Sequence, residues 1–238
     1  MQRSSDASEM ARQFFGFGRW GAPFWFIGPE PGKGPTELDG NAARIREWVR
    51  LGRPELCDCE EFHLAIGELH WHRQRPRLQR TWRSLMLFLM AAQGKAFDNE
   101  SLRTYQRRHW GKADGETCVI ELSGVASKKL TAPIDGQPFL KERIAIIRER
   151  LVLHKPALVV LYGVSRLKAF EEITGCFLRR DGVNRRGDTL FVFAAHPIAH
   201  GRKDTDWATL AQSVRSSFSG ALSDCCKRSG PIEAPQCL

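Results

Sequence analysis

The sequence predicts an α/β protein in which a mainly parallel sheet carries helices on both faces. Four short apolar runs, Phe24 to Ile27, Thr117 to Leu122, Ala157 to Tyr162 and Thr189 to Ala194, read as buried parallel strands. Helical patterns separate them, and strands alternating with helices build a sheet covered on both sides. A chain of 238 residues, 42% of them hydrophobic, can bury one sizeable core. A single domain over residues 1–238 is therefore expected, its folded part lying at about 13–220.

In chain order, residues 1–12 and 221–238 are polar or rich in Pro and Gly and are expected to be poorly ordered. Gly16-Phe17-Gly18-Arg19-Trp20-Gly21 matches G-x-G-x-x-G. A dinucleotide fingerprint follows a strand and opens a helix, however, whereas this segment precedes the first strand and reads as a turn. Asn41 to Leu51 forms a helical stretch, and Thr81 to Ala92 forms another that is apolar on nearly all sides and hence buried. Residues 52–115, rich in Arg, His and Trp, are too long for a simple crossover and read as an elaboration on the core. Pro138 opens a helix whose Leu140, Ile144, Ile147 and Leu151 form a core-facing stripe ending before Pro156. A further helix runs from about Val164 to Ile173. The last carries Trp207, Leu210, Val214 and Phe218 on one face, with Asp204 or Thr205 as its cap.

Lys and Arg outnumber Asp and Glu by 36 to 27, a net charge of +9 that favours polyanionic partners. The N-terminus has no apolar stretch of the signal-peptide kind, and the longest apolar run, Leu85 to Ala92, is too short to span a bilayer. A cytoplasmic protein without membrane contact is expected. Seven cysteines without regular spacing suggest reduced thiols. Cys57-Asp58-Cys59 with His63, His70 and His72 lacks the second paired half of a zinc ribbon, so core or surface roles are expected, with no metal and no cofactor.

In an open parallel sheet, ligands bind at the carboxyl ends of the strands. That rule selects four loops: Gly28 to Gly34 (GPEPGKG), Ser123 to Lys129, Gly163 to Arg166 and His196 to Lys203. The first resembles a phosphate-binding P-loop, but its spacing is one residue short and Gly34 stands where Ser or Thr would hold magnesium, which speaks against an ATPase. Its glycines and prolines turn the backbone rigidly and present Glu30 at the rim. In the last loop His196 follows a strand and precedes a proline, which pins the imidazole. Lys128, Lys129, Ser165, Arg166, His200, Arg202 and Lys203 stand around them as candidate phosphate contacts. Arg73, Arg75, Arg77, Arg80 and Arg83 form the densest basic cluster.

Gly28-Pro29-Glu30-Pro31-Gly32 after the first strand and His196-Pro197-Ile198-Ala199-His200 after the fourth resemble, in order and placement, motifs of the uracil-DNA glycosylase superfamily. The resemblance covers roughly Phe24 to Phe218 and implies a three-layer α/β/α fold around a central four-stranded, mainly parallel sheet. It also implies excision of uracil, and of related damaged bases, from single- or double-stranded DNA by a monomer. Glu30 and His196 are then the catalytic pair, with Gly28, Pro29, Pro31, Ser123 and Trp48 around the base. Ser123 stands where the family commonly has an Asn that reads the edge of uracil, and one hydroxyl cannot reproduce an amide's donor and acceptor pair. Trp48 is the candidate for the stacking aromatic, and the choice between His200 and Arg202 as the group that fills the gap in the base stack stays open.

Breaking an N-glycosidic bond builds positive charge on the sugar and negative charge on the departing base. With the nucleotide flipped out of the helix, Glu30 would stabilise the sugar cation and orient water, and His196 would hydrogen-bond the leaving base. A carboxylate about 4 Å from the cation at an effective dielectric near 20 contributes about 4 kcal/mol, roughly a thousandfold in rate. Two rival readings remain: a non-catalytic module that binds damaged or single-stranded DNA, and a hydrolase of small nucleosides with no need of a basic surface.

Overall fold

A computed structural model describes residues 2–29, 37–124 and 139–215 of the chain. The four expected strands are present with nearly the expected bounds: β2 (Phe24–Gly28), β4 (Thr117–Glu121), β5 (Leu158–Tyr162) and β7 (Thr189–Ala194). All four pair in parallel, in the order β4-β2-β5-β7. Among the described residues the sheet has seven strands, not four. β1 (Gly16–Phe17) pairs antiparallel to β4 and parallel to β3 (Leu56–Cys57), while β6 (Gly182–Arg186) lies antiparallel on the outer side of β7. β1 and β3 are two residues long and β6 is polar, so none leaves an apolar run in the sequence. The Gly16 to Gly21 segment is thus not simply a turn. Gly16 adopts φ +140°, and a Cβ there would fall 2.1 Å from the Val119 carbonyl oxygen, so glycine is what lets β1 lie against β4.

Helices cover both faces. On one, β-strand residues Phe26, Val119, Val160 and Val192 pack with α2 (Glu37–Arg50), α3 (Cys59–Ala65), α4 (Arg80–Ala92), α5 (Asn99–Arg108) and a final helix α8 at 204–215. On the other, Trp25, Ile120, Leu161 and Phe193 pack with α6 (Leu140–His154) and α7 (Leu167–Thr174). The predicted stripe of α6, Leu140, Ile144, Ile147 and Leu151, is buried, as are Leu85 to Met90 of α4. Residues 52–115 supply β3, α3, α4 and α5, and so build much of the first layer. α7 starts later than expected, because Val164–Arg166 forms a 3-10 turn. Among the described residues no helix is long and apolar enough to cross a membrane, and Cys57, Cys59, Cys118 and Cys176 are free thiols.

The N-terminal segment is helical, contrary to expectation: α1 spans Gln2–Gln13. Its anchor is Arg143 of α6, a fully buried guanidinium stacked 4.2 Å over the Phe15 ring. Nη1 donates to the Ala11 and Arg12 carbonyls at the end of α1 (3.1 and 3.0 Å), Nη2 to Glu121 O (2.7 Å) and Nε to Leu122 O (2.8 Å). One side chain therefore caps a helix and fixes the exit of β4, an arrangement with no periodic signature in sequence. Burial pulls the Arg143 pKa down to about 9, yet the group stays charged near neutral pH. Arg143→Met leaves four carbonyls without their donor and should lower unfolding free energy by at least ~3 kcal/mol, read as a drop in urea midpoint.

Candidate active site

The four parallel strands end in one row. Register pairs Gly28 with Glu121 and Tyr162 with Ala194, and each of these is the last residue of its strand. Gly28 and Tyr162 meet directly: a Cβ on Gly28 would lie 2.2 Å from the tyrosine hydroxyl. The missing side chain is the space that lets the buried Tyr162 ring lean across the carboxyl end of β2. Backbone bonds tie the exits together, with Leu122 N–H donating to Gly28 O (2.9 Å), Ser123 N–H to Pro29 O (3.2 Å) and Gly163 N–H to Ala194 O (3.0 Å).

His196 stands two residues beyond this row and half-buried. Its ring packs edge-on against Tyr162, with centroids 5.4 Å apart. Nδ1 accepts from the Ile198 N–H at 3.4 Å, an arrangement that puts the proton of the neutral ring on Nε2 as a donor. Burial lowers the imidazole pKa below the ordinary 6.5, which favours that neutral form at pH 7.

Gly28, Pro29, Ser123 and His196 are thus brought to one edge, Ser123 beside Pro29. Glu30, Pro31, Lys128 and Lys129 lie outside the described residues, as does Phe218. Ser165, His200 and Lys203 are exposed on neighbouring turns. Three assignments are corrected. Trp48 is fully buried on α2 and donates from Nε1 to Pro54 O (2.9 Å), so it is not available to stack on a base. Arg166 is 4% exposed and does not reach solvent as a phosphate contact would. The Arg202 side chain, 7% exposed, turns inward to pair with Asp181 (2.8 Å) and lie over the Trp207 ring. In the basic cluster Arg73, Arg75, Arg77 and Arg80 are exposed, while Arg83 forms an ion pair with Asp204 at 2.6 Å.

Sequence reasoning passed over Glu121, Tyr162 and Arg44. Glu121 and Tyr162 each close an apolar run with a polar atom, TCVIE and LVVLY, and that final position was the available signal. Burial, and secondarily Glu121, push the Tyr162 phenol well up, so it is a neutral hydroxyl at any working pH. Arg44 on α2 lies over the Phe62 ring (5.2 Å) within the electrostatic reach of Glu68 and Glu121. A second group converges on the same layer: Cys59, His63 and His72, expected to fill separate core or surface roles, point ligand atoms at one another.

No protein-family model matches the sequence, and no curated protein matches it either.

Gly28→Ala forces the Tyr162 ring off its seat and should cost about 1–3 kcal/mol, as overpacked cores do. Chemical denaturation measures it, and the edge-on contact with His196 should loosen at the same time, seen as a shift of the His196 ring signals.

Proposed function

We propose that the chain is a monofunctional DNA glycosylase of the uracil-DNA glycosylase type, built as three α/β/α layers and hydrolysing the N-glycosidic bond of uracil in DNA. The observation that carries this reading is the neutral, oriented imidazole of His196 at the carboxyl ends of four parallel strands, across a shared edge from the Gly28-Pro29 turn that leads into Glu30. A base leaving as an anion needs a donor held in advance, and an Nε2–H fixed through Nδ1 supplies one without reorganisation. Glu30 is the proposed partner for the sugar cation. The strand exits of Glu121 and Ser123 are then candidates for reading the base, with one hydroxyl in place of an amide relaxing the discrimination. Exposed Arg73, Arg75, Arg77 and Arg80 are the proposed phosphate contacts.

The direct test incubates wild type and Glu30→Gln with oligonucleotides carrying one uracil, hypoxanthine or mismatched thymine, then cleaves abasic sites with alkali. Wild type should cut the uracil strand and Glu30→Gln should fall by about a thousandfold with DNA binding kept. DNA bound without cleavage of any strand would leave a binding module as the better reading.

The pH profile carries the role of His196. Its folded pKa lies below 6.5, so the neutral donor persists from pH 8 to near pH 6.5 and kcat stays level there. Below that range Nδ1 gains a proton, the Ile198 N–H loses its acceptor, and kcat falls. His196→Asn should lower kcat and abolish this acid limb.

A further inference from the structure

We propose that Cys59, His63 and His72 bind one zinc ion that staples α3 to the 3-10 turn at Leu69–Trp71, a site independent of the glycosylase reading. Cys59 and His63 stand four residues apart on α3, which brings their side chains onto one helix face. His63 Nδ1 lies 3.4 Å from Cys59 Sγ and 3.0 Å from Nε2 of His72, the residue that closes the turn. All three ligand atoms fall within 4.8 Å of one another, and the side chains are 0%, 4% and 4% exposed. Tetrahedral zinc, with bonds of about 2.3 Å to sulfur and about 2.0 Å to nitrogen, sets S···N and N···N edges near 3.6 and 3.3 Å. The two edges that meet at His63 Nδ1, 3.4 and 3.0 Å, approximate those values, and the third lies within 4.8 Å.

Proton counting points the same way. His63 Nδ1 offers one lone pair or one N–H, which cannot satisfy both the Cys59 thiol and His72 Nε2 at once, whereas a metal accepts lone pairs from all three atoms; the Cys59 backbone is a further partner of the apo imidazole. A carboxylate stands near the outer nitrogen of His63, beyond hydrogen-bond distance: Nε2 lies 3.8 Å from Glu68 Oε2, and Glu68 accepts from Trp71 Nε1–H at 3.2 Å. A small rotation of either side chain on metal binding would close that gap, and a carboxylate that accepts from a ligating histidine raises its basicity. Phe17 and Trp82 pack on the His63 ring, with centroids 4.9 and 5.5 Å away. Thiolate with two imidazoles suits zinc over magnesium or calcium. On binding, the Cys59 S–H bond breaks, its electron pair forms the zinc–sulfur bond, and the proton leaves to solvent. Among the described residues no other His, Cys, Asp or Glu joins the group, so three protein ligands are assigned.

The test is metal content of the purified full chain, by mass spectrometry, after zinc loading and dialysis. One equivalent of zinc is expected in wild type, in Cys118→Ser and in a Cys225→Ser/Cys226→Ser double variant, and none in Cys59→Ser or His72→Gln. Glu68→Gln should keep the stoichiometry and weaken affinity about 10- to 100-fold. Cobalt(II) loaded into wild type should give tetrahedral visible bands with a thiolate charge-transfer band, a readout that does not depend on any variant folding. Folded wild type that retains no zinc and gives no such spectrum overturns the proposal. So does zinc retained by folded Cys59→Ser and lost from the Cys225/Cys226 variant.

Discussion

The candidate site depends on the register of four parallel strands. Because β4, β2, β5 and β7 stop in the same row, their exits turn over one edge, and main-chain bonds from Leu122, Ser123 and Gly163 lock each loop to its neighbour. A slip of one residue would send Glu121, Gly28 and Tyr162 to the opposite face. It would also swap the two layers, since alternate residues of each strand belong to different cores. Packing on both faces therefore holds the register, and the register holds the site. Gly28 is where this constraint reaches a single atom, because only a missing side chain lets Tyr162 occupy the row.

The two layers differ in how they are made. α6 and α7 cover one face with regular apolar stripes, whereas the other face is covered mostly by the segment between β2 and β4. That segment also carries a long irregular turn between α3 and α4, and part of the turn's order comes from polar pins. Gln106, fully buried, donates to Trp71 O and Arg77 O and accepts from the Gln79 N–H, fixing both ends of the turn that carries the exposed arginines. The turn packs Trp71 and Leu78 on the core, and a buried amide with three satisfied bonds fixes the main chain between them. The Cys59, His63 and His72 group lies at the near end of the same turn, where a zinc ion would act as a further pin.

What the sequence made legible follows from this contrast. Apolar runs and a 3.6-residue stripe report burial, so the four core strands, α4 and α6 were readable within one or two residues. β1, β3 and β6 were not, because two-residue strands and the half-exposed GVNRR carry no run to detect. α1 was read as a loose end because its anchor, Arg143, lies about 130 residues away. The loop-after-strand rule found His196, Ser123 and the Gly28-Pro29 turn. It overlooked Glu121 and Tyr162, which are the final residues of strands and so precede the loops. Trp48 failed as a stacking candidate for a related reason: an aromatic residue on a helix is more often core than ligand surface.

Charge was the weakest guide, and the arginines explain why. The +9 balance treats every guanidinium as surface available to a polyanion. Arg143 and Arg166 are buried, Arg202 is held between Asp181 and Trp207, Arg150 reaches Glu55, and Arg83 ties α4 to the start of α8 through Asp204. These charges are taken up by partners within the chain, where a planar fork with five donors serves backbone carbonyls and carboxylates better than lysine would. Arg73, Arg75, Arg77 and Arg80 are exposed, as are Arg148, Lys168, Arg179 and Lys203, so among the described residues the basic surface open to a polyanion is only part of what the net charge counts. Salt-dependent binding of a polyanion should therefore follow the exposed basic side chains and not the net charge.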